Sequence, residues 1–338
     1  MAIQTRNVGA FPANPIGLGC MSLSFGYGPA SSSQHIKSVI ELAVDLGVNF
    51  LDTAAVYGDG HNETELGKAI APYRSQVAIC TKGGMTATYN EKGRQRKIDS
   101  RPEVIRSNCE DSLKRLGVDV IDLYYLHRWD KVTPIEDVAG AMADLITAGK
   151  IKGYGLSEVS ATTLRQAHNT HPVTAIQSEY SLWTRNPEIA VLPSCEELDI
   201  TLVAFSPFGR GFLAYGSPDP SEFEEKDLRR VMPRFQAPYY EKNLLLRNQL
   251  KDLTEAAGLT NAQLLLAWVL QQSPSVVTIP GTTRLEHLSE NMKTQSLNVS
   301  NQVLEEASRL INQHTVAGER YDSVATGQVG TERFQDQL

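Results

Sequence analysis

Four reactive side chains stand just after short apolar runs of the kind that read as buried strands. Asp52 follows residues 48–51, Lys82 follows 77–81 and His127 follows 120–126; Tyr57 comes five positions after Asp52. A carboxylate, an ammonium, an imidazole and a phenol gathered at one place suit the reduction of a carbonyl. Hydride goes to the carbonyl carbon, and a proton must reach the oxygen. A free tyrosine, with a pKa near ~10, exchanges protons poorly at neutrality, and a nearby ammonium stabilises the phenolate and lowers that value. A carboxylate beside Lys82 keeps the amine charged and placed, and an imidazole opposite the phenol orients or polarises the carbonyl oxygen. Taken singly, Asp52 reads equally well as a helix cap, Lys82 as a structural cation and His127 as a hydrogen-bonded core residue. Only the set carries the chemistry.

What must position this set is an alternation of strands and helices. Further short apolar runs at 151–156, 173–178, 201–205 and 276–279, and a weaker one at 16–18, bring the strand candidates to eight. Between them, Ile36, Ile40, Ala43 and Leu46 share one helical face, as do Val138, Ala141, Met142 and Leu145. Gly47, Gly117, Gly149 and Gly258 follow helical runs, where a left-handed cap is expected, and Pro102 and Pro134 sit near helix starts. Alternating strand and helix implies parallel strands with crossover helices. Eight units in this length fit an α/β fold, a (β/α)8 TIM barrel with long loops at the C-terminal face of the strands, where such barrels carry their chemistry. That rule adds Ser157 and Glu158, Gln177 and Glu179, and Ser206 to the strand-end residues. No G-x-G-x-x-G follows the first strand, against an open dinucleotide-binding sheet. Residues 1–338 read as a single domain. Three stretches break the alternation: 83–100, with Lys92, Arg94, Arg96 and Lys97 as a solvated basic face; the proline-bearing 207–242; and a polar tail, 313–338, that frays or covers the pocket.

The composition is that of an ordinary globular protein. Of 338 residues, 41% are hydrophobic and 21% charged, with a net charge of −7. That balance disfavours general nucleic-acid binding. No apolar run nears the ~20 residues that cross a bilayer, and the N-terminus lacks the pattern of a secretory signal. Four scattered cysteines, Cys20, Cys80, Cys109 and Cys195, give neither a CxxC metal site nor a dense disulfide framework. The expected setting is therefore reducing and cytoplasmic, with no membrane or nucleic-acid partner and no metal; nothing in the pattern sets an oligomeric state.

Several ordered motifs resemble the aldo-keto reductase superfamily between about Ile16 and Asn291. They are Asn49-Phe50-Leu51-Asp52-Thr53-Ala54 leading to Tyr57-Gly58, Glu65-Leu66-Gly67-Lys68-Ala69, Ser112-Leu113-Lys114-Arg115-Leu116-Gly117, and Asp122-Leu123-Tyr124-Tyr125-Leu126-His127. Gly155-Leu156-Ser157 and Gln177-Ser178-Glu179-Tyr180-Ser181-Leu182 follow. The run Tyr180-Ser181-Leu182-Trp183-Thr184-Arg185 is most similar to the perakine-reductase, auxin-induced-like and pyridoxal-reductase branch.

The resemblance implies roles. Tyr57 matches the family's proton donor, Lys82 and Asp52 the pair that tunes it, and His127 the imidazole that positions substrate. Ser157 and Gln177 match the groups that hold the nicotinamide carboxamide; Glu158 stands where the family usually has Asn. Phe205 stands at the position of a ring stacked on the nicotinamide, and Ser206, Gly209 and Gly211 match the segment near the pyrophosphate. Gly281, Thr282 and Arg284, followed by Glu290 and Asn291, match the segment that binds the adenosine 2′-phosphate, ribose and adenine at a helix start. The implied cofactor is NADPH/NADP+, with NADH possible but weaker, because the cations some branches carry at 281 and 287 are here Gly281 and His287. The implied substrate is a small-molecule carbonyl compound, with Met21, Phe25, Tyr27, Met85, Tyr89, Trp129 and Trp183 as candidates for an apolar wall. Two rivals remain at this stage. One is a cofactor-binding regulatory subunit resembling potassium-channel beta subunits, which usually carry an extra N-terminal segment where this chain has about fifteen residues. The other is a lyase forming a Schiff base on Lys82.

Overall fold

Eight short parallel strands form one sheet that curls until its edges meet. They are β3 (Leu18–Gly19), β4 (Phe50–Asp52), β5 (Ala78–Gly83), β8 (Leu123–Leu126), β9 (Tyr154–Ser157), β10 (Ala175–Glu179), β11 (Thr201–Phe205) and β12 (Val276–Ile279), neighbours in that order. Parallel bridges Ile16–Thr278 and Gly19–Gly281 close β12 onto β3. The computed structural model describes residues 4–90, 93–216 and 218–335. All eight expected strands are present, so the fold is the expected (β/α)8 barrel. Several start two or three residues later than the apolar runs, because the first residues of each run lead into the barrel: Ile121 and Ile151, for instance, share a single bridge before β8 and β9 begin. The shift makes Asp52 and Ser157 the last residues of their strands.

Side-chain alternation fills both layers. Leu123 and Tyr125 point with Phe50, Ala78, Cys80, Ala175, Val203 and Val277 into the barrel, while Tyr124 and Leu126 join the outer core against the helices. The interior is tight enough to demand glycine at 155, where a Cβ would come within 2.4 Å of the Tyr125 ring. A hairpin of β1 (Arg6–Val8) and β2 (Phe11–Ala13) plugs the N-terminal end with Val8 and Ala13.

The outer layer comprises α1 (Ser33–Asp45), α2 (His61–Ile70), α3 (Pro102–Leu116), α4 (Ile135–Thr147), α5 (Ala161–Thr170), α6 (Val191–Leu198), α7 (Tyr239–Ala256), α8 (Asn261–Gln271), α9 (Leu285–Lys293) and α10 (Asn301–Leu310). Gly47, Gly117, Gly149 and Gly258 all have positive φ after helical runs, and Pro102 opens α3.

The three irregular stretches are all more ordered than a loop reading expects. In 83–100 an antiparallel hairpin forms, β6 (Met85–Asn90) on β7 (Gly93–Ile98); Lys92 and the side chain of Arg94 lie outside the described residues. In 207–242 short turns run into α7 at Tyr239. Over its described residues, 313–335, the tail does not fray: it folds back over the strand ends and includes the short α11 (Ser323–Gly327). Among the described residues no helix is long and apolar enough to cross a membrane. All four cysteines are buried and unpaired.

Candidate active site

The barrel brings the four reactive groups together at the C-terminal ends of its strands. Lys82 on β5 is 1% exposed, and its Nζ lies 2.5 Å from Asp52 Oδ1 at the end of β4. The same Nζ donates to Thr53 O at 2.7 Å and reaches Tyr57 OH at 3.5 Å. Gln177 on β10 donates to the second Asp52 oxygen at 2.8 Å. Thr53 and Asn62 join side chains at 2.6 Å, and Asn62 donates to Cys20 O at 2.9 Å, bracing the loop that carries Tyr57. His127 directly follows β8; its ring meets the Tyr57 ring edge-on with centroids 5.9 Å apart.

Burial dominates the electrostatics. It raises the Tyr57 pKa above its ordinary value, while Lys82 pulls it back down and Arg128 adds a smaller pull. The expectation of a net lowering by the ammonium is therefore corrected: desolvation of the phenolate outweighs the lysine. Burial likewise raises Asp52 against the pull of Lys82 and Gln177. Burial works against the Lys82 charge, but Asp52 and Tyr57 outweigh it and its pKa rises. Burial, helped by Lys82, Arg128 and Arg96, holds His127 well below the usual range, so its imidazole is neutral.

Asp52, Tyr57 and His127 open onto a cavity of about 800 Å³, with Lys82 just beneath. Its wall includes apolar side chains, Met21, Phe25, Tyr27, Met85, Leu228 and Met232. It also includes small or polar residues, Gly19, Ser22, Gly211, Gly281, Thr282 and Arg284. The sequence model of the Aldo/keto reductase family matches residues 15–312.

The chain belongs to the aldo/keto reductase family.

A probable aldo-keto reductase of Glycine max is 42% identical over 312 residues, which is 92% of this chain and 89% of that protein. The Schizosaccharomyces pombe aldo-keto reductase yakc, whose name carries NADP(+), is 38% identical across 99% of this chain and 98% of its own length. Among solved structures, a glycerol dehydrogenase from Gluconobacter oxydans superposes with a TM-score of 0.84 at 29% identity, covering 94% of this chain and 98% of that one.

In this member of the family the cavity gathers most of the residues that the sequence motifs single out. Ser157, Gln177, Phe205, Ser206, Gly211, Gly281, Thr282 and Arg284 line it. Two of them are already engaged inside the protein: Ser157 Oγ accepts from Arg128 at 3.0 Å, and Gln177 donates to Asp52. Ser206, Gly209, Arg210 and Gly211 all have positive φ, a winding turn in which a Cβ at Gly209 would come within 2.1 Å of the Trp183 ring. Gly209, Glu290 and Asn291 are not part of the cavity wall. Asn291 sits behind Tyr215, whose hydroxyl donates to its Oδ1 at 2.5 Å, and its Nδ2 is buried with no partner. Tyr215 in turn stacks on His287, with centroids 3.6 Å apart. Of the expected apolar wall, Tyr89 is exposed, Trp129 donates to Thr133 O at 2.8 Å, and Trp183 packs between Phe212 and Phe235; none of the three faces the cavity.

Glu158 does not face the cavity either. Its buried carboxylate pairs with Arg320 of the tail, accepts from Thr331 at 3.1 Å and from the Glu179 N–H at 2.8 Å. Arg320 and Arg128 hold its pKa down against burial. A parallel pair joins Glu179 to Arg210 at 2.7 Å, and Arg210 also donates to Tyr321 at 2.8 Å. These contacts seat the tail so that Tyr321, Asp322, Ala325, Gln328 and Val329 form one side of the cavity. The sequence reading missed Arg128, Arg210 and Arg320. Arg128 carried a signal, since the strand-end rule that selects His127 reaches one residue further; Arg320 lies in a tail with no local pattern.

Proposed function

We propose that this chain is an NADPH-dependent reductase of aldehydes or ketones, with Tyr57 as proton donor, Lys82 and Asp52 as the pair that tunes it, and His127 as the group that orients the carbonyl. The observation that carries this reading is the bonded chain Tyr57–Lys82–Asp52 beside a neutral His127 at the cavity floor. Placing the His127 proton on Nε2 leaves its unpartnered Nδ1 as a buried acceptor rather than a costlier buried donor, and gives the substrate oxygen a donor. Tyr57 then delivers its proton to that oxygen, and Lys82 stabilises the phenolate left behind. The three hydrogens of the Lys82 ammonium are directed to Asp52, Thr53 and Tyr57, which leaves no lone pair and argues against Schiff-base chemistry.

The small and polar lining residues suit the cofactor. Gly19, Gly211 and Gly281 allow backbone to come close, and Arg284 stands at the start of α9 with no carboxylate paired to it among the described residues. Its position suits a 2′-phosphate, and the NADP(+) in the name of the yeast relative supports that choice. The unpartnered Nδ2 of Asn291 is a donor suited to the adenine end once Tyr215 moves aside. When bound, NADPH supplies the hydride. His287 is held below its usual pKa by burial and by Arg284, adding no charge at neutrality, so NADPH is preferred to NADH without exclusivity. The reading includes one working domain over residues 1–338, a cytoplasmic setting consistent with four unpaired thiols, and the perakine-reductase-like branch.

Tyr57→Phe tests it. Turnover should fall ~10²-fold or more, the usual scale of general acid catalysis, with NADPH binding retained. Near-normal turnover with hydride transfer rate-limiting would remove Tyr57 from the role.

A further inference from the structure

Several arginines near the cavity are satisfied by carboxylates. Arg210 pairs with Glu179, Arg229 with Asp227, and Arg320 with Glu158. Arg128 lines the cavity and has no such partner among the described residues. Its Nη1 donates to the backbone carbonyl of His127 at 2.7 Å and to Ser157 Oγ at 3.0 Å, which fixes the guanidinium between the ends of β8 and β9. Its Nε and Nη2 make no bond to any described residue. That is the edge by which Arg101 grips Asp99 and Arg185 grips Glu188 in this same chain, each with two bonds of 2.8 Å. A planar two-donor edge matches a carboxylate.

We propose that Arg128 is a specificity residue that takes a carboxylate of the substrate, so that the preferred substrates are oxo acids with the carboxylate a few bonds from the reacting carbonyl. This rests on the carbonyl-reductase reading above. The reach is short because Arg128 follows His127 directly and its Nη1 is tied to the His127 carbonyl. Arg96, on β7, lines the same wall and adds positive charge, while Met21, Phe25 and Met85 take the carbon skeleton. Asp322 lines the cavity too, but its Oδ1 caps α11 through the Ala325 N–H at 2.8 Å.

The test compares the semialdehyde of succinate with its methyl ester, which share the aldehyde and differ in charge at the other end of a short carbon chain. The wild-type enzyme should favour the acid in kcat/KM by roughly tenfold or more. Arg128→Gln should cut that acid-to-ester ratio by roughly ten- to a hundredfold, and Arg128→Lys should keep part of it. A second arm measures binding of succinate itself to the NADPH complex, which should be lost in Arg128→Gln. No acid preference in the wild type, or an equal loss on both substrates, overturns the proposal and makes Arg128 a brace for Ser157 and His127. Weakened NADPH binding in Arg128→Gln overturns it in favour of a contact to the nicotinamide. If NADPH binds and neither compound is reduced, the reductase reading is what fails for these aldehydes, and the succinate arm still decides whether Arg128 holds a carboxylate.

Discussion

The two ends of the cavity are built differently. At the carbonyl end, Asp52, Lys82 and Gln177 hang from adjacent or facing strands of a closed barrel, and Asp52 is bonded to both of the others. At the far end and along the tail, the groups hang from loops: Arg210 on a turn of left-handed residues, Tyr215 beyond it, and Arg320 some 160 residues from the Glu158 it pairs with. In the first region the sheet fixes the backbone of all three residues. In the second, one partner of each ion pair, Arg210 or Arg320, comes from a turn or from the tail rather than from a strand. Asp52, Lys82 and Gln177 sit on strands, Tyr57 and His127 on the segments that follow β4 and β8, and the tail's anchors on a turn and the tail itself.

The largest expected effect breaks the strand-built end. Lys82→Met removes the ammonium and leaves Asp52 as a buried carboxylate held only by Gln177. Reduction should fall by ~10³-fold or more, and stability by about 3–5 kcal/mol, the range for breaking a buried pair. Turnover and urea unfolding of the variant read the two losses; an intact midpoint would mean that Asp52 is satisfied without Lys82.

Arg284→Ala probes the loop-built end. It should weaken NADPH binding by roughly ten- to a hundredfold while NADH binding stays almost unchanged, because only the 2′-phosphate needs the guanidinium. Titration of both cofactors into both proteins checks this, and equal weakening would make Arg284 structural.

The smallest effect sharpens the contrast. Arg320→Lys keeps the charge beside Glu158 but loses the planar fork. Limited proteolysis should cut the tail several-fold faster, and KM should rise a few-fold with kcat little changed. A matching fall in kcat would place the tail closer to the chemistry than its contacts indicate.

The same contrast separates what the chain's sequence disclosed from what it did not. Asp52, Lys82 and His127 were legible because a barrel puts strand-end residues at one mouth, so a local pattern fixes a distant meeting. Gly117 and Gly149 marked helix ends for an equally local reason, the need for a left-handed residue. The β6–β7 hairpin was missed although Thr86, Thr88 and Tyr89 favour strand and Asn90 to Gly93 suits a turn; the charges in that stretch masked the signal. The seating of the tail was not readable at all. Its anchor is a pair of charges 162 positions apart, Glu158 and Arg320, and no periodicity connects them. The net direction of the Tyr57 pKa was also hidden, because sequence shows the neighbouring cation but not the depth of burial that outweighs it.

The proposed proton path makes a signed claim about pH. Tyr57 donates only while protonated, and its pKa lies above the ordinary value near ~10, so reduction is fully available below that pH and is lost as pH rises through the folded pKa. Lys82 lowers that pKa, so its removal must move the limb to higher pH. The most direct measurement is the single-turnover rate of hydride transfer from bound NADPH as a function of pH, by rapid pH-jump mixing, in the wild type and in the residually active Lys82→Met. The account predicts an alkaline limb above pH ~10 in the wild type, displaced upward in Lys82→Met. An identical limb in the two proteins, or one that persists in Tyr57→Phe, would contradict it.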